Sequence, residues 1–140
     1  MKHLVAVTAL GIATLAAPLA RSQTTAIMGA RIPFSFVIGE QRLPAGDYQV
    51  SLDAAMGTVR LLSKQSGEEV MALSTARETR TREDHSGRLT FHRYGADHFL
   101  RAIWFPGRTE GRALSRSKAE QELARRLGPA QKVEVTPPAH

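Results

Sequence analysis

The chain has 140 residues, 42% hydrophobic and 23% charged, with a formal charge of +6 and no cysteine. That length suits one compact domain rather than two. Disulfides, cysteine-held zinc or iron–sulfur centres and a cysteine nucleophile are excluded.

Residues 1–22 read as a secretory signal peptide. Lys2 and His3 are followed by an uncharged apolar run from Leu4 to Leu15, then Pro18, Ala20, Arg21 and Ser22. This is the order of a basic start, a short apolar helix, a breaker and small residues at a cleavage point. The run is shorter than the roughly 20 residues that span a bilayer, so no transmembrane anchor is expected after processing. Cleavage after Ser22 is favoured over Ala20, which would place Pro18 at the small-residue position. Processing removes Lys2 and Arg21 and no acid, so the charge falls from +6 to +4. The expected compartment is periplasmic or extracellular.

The processed chain, 23–140, alternates. Ile32, Phe34, Phe36 and Ile38 face one way and Arg31, Pro33, Ser35 and Val37 the other, which predicts a half-buried strand. Pro33 lacks a ladder donor and points to an edge position. Gly39 to Gly46 reads as a connection with turn chemistry at Pro44-Ala45-Gly46. Tyr48, Val50 and Leu52 mark a second strand, and Val59 with Leu61 a third. Val70 to Leu73 reads as a fourth strand, apolar on both sides and central. Thr75 to Ser86 mixes arginines with acids and reads as an exposed strand extension and loop.

Arg88 to Tyr94 and His98 to Phe105 flank Gly95-Ala96 and predict a hairpin. A two-residue loop pairs Arg93 with His98, Phe91 with Leu100 and Leu89 with Ala102. One face then carries Leu89, Phe91, Leu100, Ala102 and Trp104 as core. The other carries Arg88, Thr90, His92, Tyr94, Phe99, Arg101 and Ile103. Pro106 and Gly107 end this run, and a basic loop follows.

Ser117 stands three residues before Glu120, the spacing of a capping box in which the glutamate reaches back to the free N–H groups. Ala119, Leu123 and Leu127 form a narrow apolar stripe, and Gly128-Pro129 stops the helix, so a helix is expected over 117–127. Residues 129–140, with Pro129, Pro137 and Pro138, are expected to be a disordered tail. The predicted fold is mainly β: about six antiparallel strands as a small sandwich or partly open barrel, with one C-terminal helix, in a single domain over 23–128.

Several stretches carry a resemblance. Ile32-Pro33-Phe34 through Gly39, Leu43-Pro44-Ala45-Gly46-Asp47-Tyr48, Leu89 through Gly95, Phe99-Leu100, Trp104, and Ser117 through Ala124 together resemble a group of small exported bacterial proteins. The resemblance covers about 95 residues and implies export and a β-rich domain. It implies no catalytic residue, since the group has no assigned activity.

No catalytic constellation stands out. There is no nucleophile elbow, phosphate-cradling glycine loop or H-E-x-x-H pattern. Glu68-Glu69 and Glu83-Asp84 are neighbours that point apart on a strand, unlike the facing carboxylates of a glycosidase. In the hairpin register His92 and His98 lie on opposite faces and do not share an ion. No metal or cofactor is expected. Two binding surfaces stand out instead. Arg88, His92, Tyr94, Phe99 and Arg101 put basic and aromatic groups on one hairpin face, which suits an anionic or glycan envelope component. A helix or strand covering that face is the competing reading. Arg112, Arg116 and Lys118 approach a helix N-terminus, an arrangement that attracts anions. Positive residues interleaved with acids and an exported destination argue against nucleic acid. The expected function is therefore non-enzymatic binding to, or packing against, an envelope component. A small secreted hydrolase and a structural subunit of a surface assembly are the alternatives.

Overall fold

The computed structural model describes residues 26–79 and 86–137. The leader expected over 1–22, and residues 80–85 of the arginine-rich loop, lie outside the described residues.

The chain builds β1 (Ala26–Ile32), β2 (Phe36–Ile38), β3 (Gln41–Leu43), β4 (Gly46–Asp53) and β5 (Thr58–Ser63). It continues through β6 (Glu69–Thr79), β7 (Arg88–Tyr94), β8 (Asp97–Trp104), β9 (Glu110–Leu114), α1 (Lys118–Leu127) and β10 (Gln131–Val135). The protein is mainly β with one C-terminal helix, as the alternation predicts. It has ten strands among the described residues rather than six.

One antiparallel path runs β1–β4–β5–β6–β9–β8, and β7 and β10 continue it beyond β8. The β2–β3 hairpin joins β8 through a parallel contact at Val37 and Phe99. β6 ties the two halves together: its first residues pair with β5 and its last with β9. Among the described residues the path curls around one core but does not close, and β1 and β10 are its end strands. The core holds Ile32, Phe36, Ile38, Tyr48, Val50, Leu61, Leu89, Phe91, Ile103 and Phe105. Strand alternation supplies these side chains, one from every second position.

Local chemistry explains several of the quoted motifs. Tyr48 is buried and its hydroxyl donates to the Pro44 carbonyl at 2.5 Å, so the Pro-Ala-Gly turn is tied to the strand that follows it. Tyr94 pairs with Asp97 across a two-residue loop, as the hairpin pattern predicts. Gly95 has φ +60° and Ala96 a negative φ, the pattern of a type II′ turn.

The structure corrects the reading at several places. The strand expected over 31–38 is two: β1 starts at Ala26 and ends at Ile32, and Pro33 breaks the ladder before β2. The 39–46 connection contains β3, and the basic loop contains β9. Val70 is buried, but Met71 and Leu73 are exposed, so β6 is central without being apolar on both faces in the core. The expected tail carries β10, which pairs with β7 from Gln131–Arg93 to Val135–Leu89. Val133 and Val135 pack against the core and hold it there.

The hairpin is the most instructive correction. Near the turn the register is the predicted one, Arg93 with His98 and Phe91 with Leu100. Arg101 is then an extra residue on β8, and Thr90 pairs with Ala102. This β-bulge inverts the rest of the strand. Leu89 therefore pairs with Ile103 rather than Ala102, and Ile103 and Phe105 enter the core. Trp104 moves to the outer face, where its ring lies over Gly111; a Cβ there would sit 2.6 Å from it.

Candidate functional site

α1 lies on the outer face of the β7–β8 hairpin. Tyr94 and Phe99 meet edge-to-face at 5.9 Å, Val37 joins them, and Leu123, Ala124 and Ala130 pack on top. The helix thus turns residues 120, 123 and 124 inward. The Ala119–Leu123–Leu127 stripe is not the buried face: Leu127 and Ala119 are exposed. The single buried residue of α1 is Glu120, at 1% exposure.

The capping box is half formed. The Ser117 hydroxyl accepts from the Glu120 N–H at 3.2 Å, closing the N-terminus. The Glu120 side chain does not reach back. It enters the space between helix and sheet, where the Tyr94 hydroxyl donates to Oε1 at 3.3 Å. His92 Nδ1 lies 3.5 Å from the same oxygen, and Arg101 Nη1 lies 3.6 Å from Oε2. Arg101 is the bulge residue, and the bulge aims its side chain at the carboxylate. Among the described residues neither Arg101 Nη1 nor Nε finds a hydrogen-bond acceptor, so the pair is Coulombic.

Burial governs the electrostatics of this cluster. It pushes the Glu120 carboxyl above the usual range, against the pull of Arg101, the Tyr94 hydrogen bond and Arg116. It pushes His92 below its ordinary value, helped by Arg101, Arg116 and Lys132. The Tyr94 phenol rises through burial and the neighbouring Glu120 charge. An acid pushed up beside an imidazole pushed down is the pairing expected of proton-transfer sites. Here, however, α1 covers the pair.

The hairpin surface proposed from the sequence is therefore partly gathered and wholly rearranged. His92, Tyr94 and Arg101 converge on Glu120, and Phe99 packs under the helix. Arg88 stands apart and pairs with Glu134 of β10 at 3.4 Å. Arg112 lies on β9 opposite Arg77 and Ile103. Arg116 and Lys118 are exposed at the start of α1, and Arg116 contributes its charge to the Glu120 cluster. His98 takes the other face and stacks on Phe34 at 3.8 Å. Among the described residues no three potential ligands gather in a way that could hold a metal.

The other half of the fold presents the opposite picture. Among the described residues no helix lies on the outer face of β1–β4–β5–β6. Cross-strand register sets Ile27, Ser51, Arg60 and Met71 in one row, with Asp53, Thr58 and Leu73 beside it. Ile27 is 58% exposed, Met71 60%, Leu73 69%, and Met56 in the β4–β5 turn 73%. A groove of about 630 Å³ runs between Met56, Arg60, Met71 and Leu73. Arg60 bridges Glu69 at 3.0 Å and Arg31 bridges Asp47 at 2.9 Å, so charges on this face are matched internally.

No family model, curated protein or solved structure matches this chain.

Sequence reasoning found His92, Tyr94, Phe99 and Arg101 and missed Glu120. The available signal was the spacing of Glu120, Leu123 and Ala124 at i, i+3 and i+4, the face a short helix turns inward. It missed Met71 and Leu73 as a surface because adjacent apolar positions on a strand read as core. Among the described residues no helix is long and apolar enough to cross a membrane.

Proposed function

We propose that this chain is an exported, non-catalytic interaction domain that docks onto a protein partner in the envelope or extracellular space through the outer face of β1–β4–β5–β6. The observation that carries the reading is the set of exposed Ile27, Met56, Met71 and Leu73 on this face, the last three lining the Arg60 groove. Large apolar side chains gathered on one face of a small domain mark contact surfaces, and methionine adapts its shape to a partner. The resemblance to small exported proteins and the signal-peptide pattern support the compartment.

The titratable cluster gives a hydrolase little support. His92 meets Glu120, but the carboxylate is 1% exposed beneath α1, and the nearby Ser117 hydroxyl is engaged as a cap. A catalytic base needs to reach a substrate proton within hydrogen-bond distance.

The test is site-specific photo-crosslinking in cells that make and export the full chain. A photoreactive residue at Met71 gives a higher-mass adduct, and the same residue at Glu122 on the exposed side of α1 gives none. An absence of adducts from Met71, with the protein exported and folded, removes the reading.

A further inference from the structure

We infer that the occupant of the outer β1–β4–β5–β6 face is a second copy of this chain, packed face to face in a two-fold dimer. The inference rests on reading that face as a docking surface and names its partner. Charge is the deciding observation. The chain carries 19 basic and 13 acidic residues, and 17 and 13 once residues 1–22 are removed. Where β6 pairs with β5, this face carries three cations, Arg31, Arg60 and Lys64, among three anions, Asp47, Asp53 and Glu69. Register places all but Lys64. The Lys64 ammonium lies over Gly29, 3.6 Å from where a Cβ would be, and acts on Asp47.

Among the described residues this part of the face is neutral, while the processed chain as a whole carries a net positive charge. An anionic partner would choose the basic faces. A second basic chain is repelled by those faces and meets no net repulsion here. A two-fold contact is self-complementary: Met71 and Leu73 of each copy cover those of the other, and Arg60 can exchange Glu69 for an acid across the interface. The face spans four strands by about five residues, on the order of 17 by 19 Å from strand spacing. That is small beside the roughly 800 Å² per partner of a standard interface, so the dimer is weak and concentration-dependent.

Light scattering on the exported protein, as purified from cells making the full chain, reads the mass from about 1 μM to about 1 mM. The expected result is a shift from one chain to two across that range. The paired substitution Met71→Glu and Leu73→Glu holds the protein at one chain throughout, with an unchanged thermal melt. Arg60→Glu weakens the dimer at least tenfold, and adding Glu69→Arg restores it. A single-chain mass at every concentration overturns the inference, as does a dimer indifferent to the Met71 and Leu73 changes. If Met71 crosslinks to a different envelope component while the mass stays that of one chain, the docking face stands and the second copy does not. If neither adduct nor dimer forms, both fall.

Discussion

The two outer faces of this sheet are inverted with respect to their side chains. Over β7–β8, a helix covers His92, Arg101 and the carboxylate of Glu120. Over β4–β6, Met71 and Leu73 face solvent. The covered face buries ionisable groups, and the open face exposes large apolar side chains among paired charges. Polarity along a strand identifies the face toward the shared core, but not which side of the other face a further element will take. That is set by where the chain goes next. Here β10 pairs with β7, so the preceding α1 is returned over the hairpin.

Substitutions sharpen the contrast, and the largest effect lies on the side both halves share. Phe91 is fully buried and meets Phe34 and Phe36 edge-on at 4.9 and 5.6 Å. Phe91→Ala should cost about 3–5 kcal/mol, the range for a deleted core aromatic. Met71→Ser on the open face should stay within about 0.5 kcal/mol, as for surface changes generally. Chemical denaturation at low protein concentration compares the two; similar losses would show that the outer face is not open.

Gly111→Ala comes next. Its Cβ would meet the Trp104 ring at 2.6 Å, and the ring has β7 and β9 on either side. Overpacking of this kind costs about 1–3 kcal/mol. Tryptophan fluorescence should change together with the unfolding midpoint, because Trp104 is the one tryptophan in the chain. A midpoint that falls with unchanged emission would place the strain elsewhere.

Ser117→Ala removes the acceptor that closes α1 and should cost about 1 kcal/mol. A helix of ten residues is marginal alone, so the loss should appear as local undocking. Hydrogen exchange should accelerate in α1, while β4 and β5 on the open half keep their protection. Acceleration spread evenly over both halves would mean that the helix and the sheet unfold as one unit.

The legible and illegible parts of the molecule divide along physical lines. β4 and β5 alternate cleanly around Tyr48, Val50, Val59 and Leu61, and their period of two needs no tertiary information. The Gly95-Ala96 loop is equally local. β9 was hidden because Glu-Gly-Arg-Ala-Leu is short and contains Gly111, whose strand role depends on Trp104. β10 was hidden by flanking prolines, although Val133 and Val135 alternate as a half-buried strand should. The Arg101 bulge has no signature in a run of β-formers, and it decides which of Ala102 and Ile103 faces the core. Ser117 and Glu120 announced a capping box. Whether the glutamate turned back or inward depended on Tyr94 and Arg101 lying beneath it.

The smallest expected effect is the most informative about the covered face, because its sign is at stake. Glu120 is held above its ordinary range, so the folded chain binds that proton more tightly than the unfolded chain. Lowering the pH through that range toward about 4.3 therefore adds stability. His92 is held below its ordinary value, so the unfolded chain takes its proton more readily, and stability is lost as pH falls below about 6.5. The two oppose each other over the intervening window, in the field of Arg101, Arg116 and Lys132. Glu120→Gln keeps the shape and removes the gain, so the variant should lose stability more steeply than the parent between pH 6.5 and 4.5. His92→Gln should flatten the same interval. At pH 7 the raised carboxyl means that burial of the Glu120 charge outweighs the pull of Arg101, and Glu120→Gln should melt level with or slightly above the parent. Thermal melts of both variants at pH 7 and 5 decide it. A Glu120→Gln protein melting well below the parent at pH 7 would mean that the ion pair, and not the packing of Tyr94 and Phe99 against Leu123, holds the helix on its face.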